Sequence, residues 1–419
     1  MAAHDVDGHA LTEIGRLARE SGLDVTGGTV RRSSSRFCLG VEHGDYNGTE
    51  LFGVGTDRFI WLAIKANDSG KVRLFSGNFS DDGVIEFQPG ETPEPQSPEI
   101  ADTWGRFPFG VDHVLKREGF PLSKGADIVI HGNIPGGGMS RSASLSLNLL
   151  LSLAELNEIV IDDDPMRVAL MAQAVETDYI GSPCGLLDQV MILFAREGMG
   201  THYNPGDRSV SHIPLGYDAP DFRLVSLDTG TVRPGLEKST YAIRRAECDE
   251  FVSMLEASFG ISALAEIRSR GLYRQILDLH EESHPHLCDR LSYIFDAQNR
   301  FAALLEAWRI GDIATVGRVF RVDGIGLRDQ YRISGPELET MCDVARSVPG
   351  VLGERMLGGG DKGAAGAIVR ARSVDALRAA IETGYPRSHP TYAETFAVHA
   401  CSMVDGMKTL ETTFGSEPR

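Results

Sequence analysis

Three observations predict a fold of mixed strands and helices, divided into two or three domains. Residues 28–90 carry strand-like apolar runs such as Phe59-Ile60-Trp61-Leu62-Ala63-Ile64. Helical spacing recurs from about residue 108 to 313, and 419 residues exceed what one hydrophobic core ordinarily serves. Taken in order, residues 10–22 read as a helix and 28–90 as a mixed strand region. The stretch 89–103, with its repeated prolines, reads as a surface excursion. Helices are expected at about 108–118, 140–157 and 165–179. The last of these has a good start, because Asp164 can cap it and Pro165 suits the first helical position. A further helix is expected over 185–196, followed by Gly/Pro-rich turns around 198–220 that mark a candidate domain junction. Helix-rich sequence fills 236–313, and glycines return in 350–366 between two apolar segments. No internal repeat or long low-complexity tract is present.

The residues Gly136-Gly137-Gly138-Met139-Ser140-Arg141-Ser142, followed by a leucine-laden stretch from Leu145 to Leu156, form a candidate phosphate cradle. Glycines let the backbone approach an anion closely. Serine hydroxyls add donors and a possible metal ligand, and the helix start adds free amides and the positive end of its dipole. The lysine of a P-loop is missing, and so are the catalytic-loop and metal-loop signatures of protein kinases. A nucleotide held here therefore implies another phosphotransfer family, and the bland alternative is a tight connection.

Apolar content of 42% and charged content of 24% describe an ordinary soluble globular protein. A net charge of -18 argues against nucleic acid and anionic membrane surfaces as partners. Any ATP site must then be assembled from local donors, a helix terminus and a cation. No apolar run reaches transmembrane length and the first residues lack a signal pattern, so a cytoplasmic protein is expected. The expected partner is a small molecule, and the chain is expected to be a monomer or a weak homo-oligomer. The six cysteines lack metal spacing and read as thiols. His280 and His284 have the i, i+4 spacing of a helical zinc pair, but Pro285 favours a helix end there.

Arg36 followed by Glu42-His43-Gly44-Asp45-Tyr46-Asn47-Gly48 resembles the galactokinase signature, in which an Arg precedes Glu-His-x-Asp-Tyr-Asn-Gly. The loop at 136–144 resembles the second motif of GHMP kinases, and Arg355-Met356-Leu357-Gly358-Gly359-Gly360 resembles the third. Pro183-Cys184-Gly185-Leu186-Leu187-Asp188-Gln189, the Tyr241 to Cys248 segment and Leu327 to Leu338 complete the order, so the resemblance extends from about residue 30 to 405. It implies a two-domain α+β GHMP kinase fold: an N-terminal mixed-sheet domain to about 217 and a C-terminal domain, 218–419, with an antiparallel sheet and helices. The active site would lie in the cleft, with the 355–366 segment packing back towards the phosphate loop.

Phosphoryl transfer asks for positioning, electrostatic stabilisation and a group to steer the nucleophile's proton. Asp188, in an apolar helix near Gly185, fits a base aimed at a sugar hydroxyl; otherwise it is a helix N-terminal carboxylate or a buried partner for an arginine. Arg36 is the natural counter-charge. By resemblance, Glu42, His43 and Asp45 hydrogen-bond substrate hydroxyls, Gly185 and Tyr241 line the same pocket, and Ser142 and Glu176 hold Mg2+ while ATP occupies the loop of Gly136, Gly137, Gly138, Ser140, Arg141 and Ser142. Trp104 resembles the segment packing near adenine, or is ordinary core. The sequence departs from the family at Cys38, where Asn is usual, at Arg141, where Ser is usual, and at Asp361-Lys362, where an aromatic and Gly are usual. Lys362 and Arg141 then either read an anionic group on the acceptor, pair with Asp361, or clamp the ATP phosphates. The expected activity is an ATP-dependent sugar 1-kinase acting on galactose or a close analogue. A kinase of a cyclitol, uronic or already phosphorylated sugar, a non-catalytic sugar and ATP sensor, and a structural nucleotide-binding module are the alternatives.

Overall fold

The computed structural model describes residues 3–232 and 235–410. Its elements in the first half are α1 (Ala3–Ser21), β1 (Thr29–Gly40), β2 (Leu51–Ala66), β3 (Val72–Ser76), β4 (Ile85–Phe87), α2 (Arg106–Arg117), β5 (Ala126–Gly132), α3 (Arg141–Leu156), α4 (Pro165–Ala174), α5 (Leu187–Leu193), β6 (Met199–Asn204) and β7 (Ser209–Pro214). The second half holds β8 (Phe222–Asp228), α6 (Thr240–Phe259), α7 (Arg270–His280), α8 (Pro285–Ile310), α9 (Ile313–Asp329), α10 (Pro336–Arg346), β9 (Val351–Met356), β10 (Ala364–Arg370), α11 (Val374–Ser388), β11 (Ala397–Cys401) and β12 (Met407–Thr409).

Two sheets organise these elements. The first is mixed, in the order β12-β1-β2-β5-β3-β4, with β6 added beside β2 and β7 beside β6; only β3 and β5 run parallel. The second is antiparallel, in the order β11-β8-β10-β9. The last strand, β12, thus returns to pair with β1. The turn-rich 198–220 stretch contains the β6–β7 hairpin of the first sheet, a correction to the reading of that stretch as turns alone. Its short alternating strands carry too many polar residues to stand out against the flanking Gly and Pro signals.

Helix α3 is apolar on nearly every face and is buried accordingly between the sheet and helices α2, α4 and α5. Polar pins fasten it. Asn148 Nδ2 donates to Arg31 O at 3.2 Å and Ser33 Oγ at 3.1 Å, and Ser144 Oγ lies 2.7 Å from Ser33 Oγ. These contacts fix the helix, and the glycine turn that starts it, against β1. Helix α4 is capped as its sequence suggests: Asp164 accepts from the amides of Met166 and Arg167, with Pro165 in the first turn. A π-helical turn, Val175–Ile180, follows it. Helix α1 covers the other face of the sheet, where Asp7 accepts from Trp61 Nε1 at 2.8 Å and Arg32 Nη1 at 2.6 Å. His280 ends α7 and Pro285 begins α8, so the two histidines of the zinc-like spacing lie on either side of a break. Among the described residues no cluster of three metal-ligating side chains occurs, and no helix is long and apolar enough to cross a membrane.

The largest core joins the halves. Phe37 and Leu39 of β1, Val41 just after it, and Phe52 and Val54 of β2 pack with residues of β8, β9, β10 and α6 to α11. Phe37 is fully buried, stacks on Phe320 of α9 at 5.5 Å, and faces Gly366 of β10. Truncating it leaves a cavity shared by both halves, so Phe37→Ala is expected to cost about 3–5 kcal/mol. Chemical denaturation should show one transition, coincident by circular dichroism and tryptophan fluorescence, moved to lower denaturant; two separated transitions would show that the halves do not share a core.

Candidate active site

Strand β1 delivers Arg36 to the centre of the cleft between the halves. Its side chain is 2% exposed. Nε bonds Asp188 Oδ1 at 2.7 Å, Nη1 bonds the carbonyl of Gly138 at 2.7 Å, and Nη2 lies 3.9 Å from Glu42 Oε1. Burial works against the charge, but the carboxylates of Asp188 and Glu42 outweigh it and hold the guanidinium protonated. Asp188 is the second residue of α5, and its side chain is 32% exposed, so the carboxylate is held at one oxygen while remaining open to the cleft.

The cleft is lined by Arg36, Glu42, His43, Asp45, Cys184, Gly185, Leu187, Asp188, Tyr241 and the backbone of Gly358 and Gly359. Gly185 is required by contact rather than by conformation. A Cβ there would sit 2.0 Å from Asp45 Oδ2, which also receives the Leu187 amide at 3.4 Å. Asp45 is half-buried, and its desolvation together with the charge of Asp188 pushes its carboxyl up to about 6. Glu42 is also pushed up by burial, against the pull of Arg36 and Arg355. His43 adopts a left-handed backbone conformation, φ 60, where Asn47 Nδ2 donates to its carbonyl at 2.7 Å and the Tyr46 hydroxyl meets its Nδ1 at 2.9 Å. Tyr46 in turn meets Tyr331 at 2.7 Å.

The glycine loop forms the adjoining wall. A Cβ on Gly137 would lie 2.6 Å from Gly363 Cα, and one on Gly358 would lie 3.1 Å from Gly138 Cα. The loop of the first half and the 358–363 turn of the second therefore meet backbone to backbone, as the sequence suggested. Ser140, at φ 59, leads into α3. Ser142, in the first turn of that helix, hydrogen-bonds the carboxylate of Glu176, which sits in the π-turn and also accepts from Gln189 Nε2 at 3.0 Å. Burial and the nearby Asp188 charge push Glu176 up to about 7. Π-turns recur where a side chain must be aimed at a functional site.

Two expected residues stand apart from this cleft. Lys362 lines a separate cleft with Glu237, Lys238, Ser239, Thr240, Ala242, Ile243 and Asp361. The turn carrying it reverses at Gly360, Asp361 and Gly363, all at positive φ. Arg141 lies over the Phe79 ring at 5.2 Å, and Phe79 stacks on Trp104 at 6.1 Å. Among the described residues neither cation pairs with Asp361, which removes that reading of the pair. Trp104 is 4% exposed and belongs to the core between α2 and α3. Arg355, quoted in a motif but given no role, reaches Glu42 Oε2 at 3.2 Å. Gln189 was likewise missed. The only sequence signal for it was its place directly after Asp188 at the start of a short helix.

Comparison with known proteins bears on this geometry. The GHMP kinases N terminal domain matches residues 109–196. A galactokinase of Chloroflexus aurantiacus is 33% identical over 360 residues, 85% of this chain and 87% of its own length. A galactokinase of Clostridium perfringens is 32% identical over 347 residues, 82% of this chain and 86% of its own. The crystal structure of Lactococcus lactis galactokinase complexed with galactose has a TM-score of 0.86 at 27% identity, covering 95% of this chain and 99% of that one. Mevalonate kinase of Methanococcus jannaschii, with a TM-score of 0.61 at 14% identity, covers 90% of this chain and 99% of that one and shares the fold.

The crowding of carboxylates has a measurable consequence. Asp188 contributes to the raised pKa of Asp45, so Asp188→Asn should lower it. A 13C-carboxyl titration is expected to place the Asp45 midpoint near 6 in the wild type and lower in the variant. An unchanged midpoint would show that the two groups do not feel each other.

Proposed function

Because this chain belongs to the galactokinase family of GHMP kinases, we propose that it transfers the γ-phosphoryl group of ATP to the anomeric hydroxyl of galactose, giving galactose 1-phosphate and ADP in the cytoplasm. The single observation that carries the mechanism is the 2.7 Å contact between Arg36 and Asp188 at the mouth of the glycine loop. One oxygen of Asp188 is held by the guanidinium, and the other takes the proton of the sugar hydroxyl. The sugar oxygen forms its bond to the γ-phosphorus as the bond from that phosphorus to the bridging oxygen of ADP breaks. Arg36 offsets the charge that develops between them.

The sugar is held by Glu42, His43 and Asp45, with Gly185 and Tyr241 completing its pocket. A polyhydroxyl ring needs paired donors and acceptors, and this lining offers both. Three carboxylates, Glu42, Asp45 and Asp188, face the cleft against two guanidinium groups, Arg36 on its wall and Arg355 behind Glu42. That balance favours a neutral acceptor over a uronic or phosphorylated one, because a further anion would be repelled. The ATP phosphates lie along Gly136, Gly137, Gly138, Ser140 and Ser142, with Arg141 and Trp104 on the nucleotide side. The proposed domain division at 217 falls in the connection between the β7 and β8 strands, with β12 crossing back.

Ser142 and Glu176 suit Mg2+. They offer two hard oxygens in mutual contact, and the Glu176 carboxylate is buried without an ion-pair partner within 4 Å among the described residues. An ion held by Ser142 and Glu176 would supply positive charge against that of the ATP phosphates.

Three experiments test the reading. A coupled ADP-release screen over neutral hexoses, uronic acids, cyclitols and sugar phosphates, with 31P NMR of the product, should find turnover on galactose and a 1-phosphate; preference for any anionic acceptor would refute it. Asp188→Asn should keep its circular dichroism and lose about 10²–10⁴ in kcat. Glu176 gives an opposite pair of effects. Its folded-state pKa of about 7 lies above the ordinary 4.5, so this group's contribution to stability is lost as pH rises from the lower value through the upper. Glu176→Gln should therefore stabilise the nucleotide-free protein at mildly alkaline pH by roughly 1–3 kcal/mol while weakening Mg2+-dependent turnover. A lower Tm in that variant would show that the carboxylate is not costly where it lies.

A further inference from the structure

Glu42 is fully inside the protein, between guanidinium groups from opposite halves. Arg355, on β9, brings Nη2 to 2.9 Å from the Cys38 carbonyl and 3.2 Å from Glu42 Oε2. Arg36 stands 3.9 Å from the other Glu42 oxygen while holding Asp188. In order of contact, Arg355, Glu42, Arg36 and Asp188 alternate in charge from the second sheet to the reacting carboxylate. Arg355 itself is fixed by the Phe320 ring, 4.4 Å below its guanidinium, and is wholly buried. Its Nε and Nη1 make no hydrogen bond in the structure. A buried guanidinium with donors unmet is a poor source of stability, and an apolar side chain would serve the core better.

We infer that Arg355 is a positioning residue: it occupies one oxygen of Glu42 and so prevents Glu42 from drawing the Arg36 fork away from Asp188. The inference rests on the kinase reading above. Without Arg355, the buried Glu42 has two ways to relieve its charge. It takes a proton and ceases to accept from the sugar, or it turns fully onto Arg36 and competes with Asp188 for the same planar fork. Either outcome disables the reacting pair.

The groups facing Glu42 are Arg36 and Cys38 from β1, Arg355 from β9, Asp188 from α5, the Tyr293 hydroxyl of α8, which donates to the Glu42 carbonyl at 2.8 Å, Asp45 and the Gly358 amide. Burial keeps the Cys38 thiol neutral. Burial pushes the Glu42 carboxyl up, and Arg36 and Arg355 hold it down. The charged form is the working one, so activity falls as pH drops through the Glu42 pKa, and removing Arg355 displaces that fall to higher pH. Asp45 contributes to the same acid limb in every variant, so the displacement isolates Arg355.

The test compares kcat/KM for galactose across acidic and neutral pH in the wild type, Arg355→Gln, Arg355→Lys, Glu42→Gln and the Glu42→Gln/Arg355→Gln double variant. Arg355→Gln should move the acid limb up by about one pH unit and leave KM for ATP within about twofold. Arg355→Lys, which keeps the charge, should restore the limb. On the Glu42→Gln background, Arg355→Gln should add nothing. A rate loss with an unmoved limb, or the full Arg355→Gln effect on the Glu42→Gln background, would reduce Arg355 to a packing residue and overturn the inference. If Arg355→Gln alone does not fold, Glu42→Gln and the double variant, in which the buried pair is neutral, decide the question. A wild type silent on galactose would refute the kinase reading instead. In that case the 13C titration of Glu42 in the wild type and Arg355→Gln decides the inference without turnover, an unmoved Glu42 midpoint overturning it.

Discussion

A buried guanidinium has to find acceptors, and Arg36 finds them on two segments that lie far apart in the chain, the start of α5 at Asp188 and the glycine loop at Gly138, with the carboxylate of a third, the Glu42 loop, a charge neighbour at 3.9 Å. The fork is planar and rigid, so satisfying it places the Asp188 carboxylate, the glycine-loop backbone and the Glu42 loop in one fixed relation. A lysine would meet the charge but not the geometry. The cost of burying this cation unmet is large enough that the three segments must come together whenever the protein folds. The working geometry is thus enforced by desolvation rather than by any ligand.

The second constraint is steric. The two halves touch through bare backbone, Gly137 against Gly363 and Gly138 against Gly358, at distances that leave no room for a side chain. Backbone contact brings amide groups of both halves to one small volume, which suits an anion with many oxygens. It also narrows the path for water, and a transferring phosphoryl group gains from that exclusion. Buried pins between α3 and β1, at Asn148, Ser144 and Ser33, keep the first half of this contact from shifting along the helix axis.

Much of this was legible in the chain because local signals and local structure agree. The glycine turn before an apolar helix, the Asp164-Pro165 start of α4 and the helix break at Pro285 each act over a few residues, and each is present in the fold. Contacts between distant segments were legible only through family resemblance. Nothing about residue 36 names residue 188 until β1 and α5 are folded together. Arg355 was passed over because its meaning depends on register in the second sheet, which carries β9 opposite the Cys38 carbonyl. Lys362, expected at the sugar cleft from its place in the glycine motif, lines a separate cleft, because a run of positive φ angles in the turn reverses the chain. The β6–β7 hairpin escaped because two short, half-exposed strands carry little hydrophobic contrast.

The distribution of charge ties these constraints to chemistry. The cleft wall carries three carboxylates, Glu42, Asp45 and Asp188, against Arg36 on the wall and Arg355 behind Glu42, and the raised pKa of Asp45 and Glu42 records the strain of holding those carboxylates out of water. Hydroxyl groups relieve that strain directly: each donated O–H stabilises the charged form of its acceptor and adds no charge of its own. A ring bearing several hydroxyls is therefore the species that gains most from this wall, and an anionic ring gains least. Arg141, not absorbed by the wall, lies on the side of the glycine loop, over the Phe79 ring. Both substrates are negative or electron-rich at the reacting atoms, and the protein as a whole is acidic, so the segregation has to be local and has to be rigid. Arg36 stands at the boundary between the two regions, and moving it towards either one would leave the other without its counter-charge.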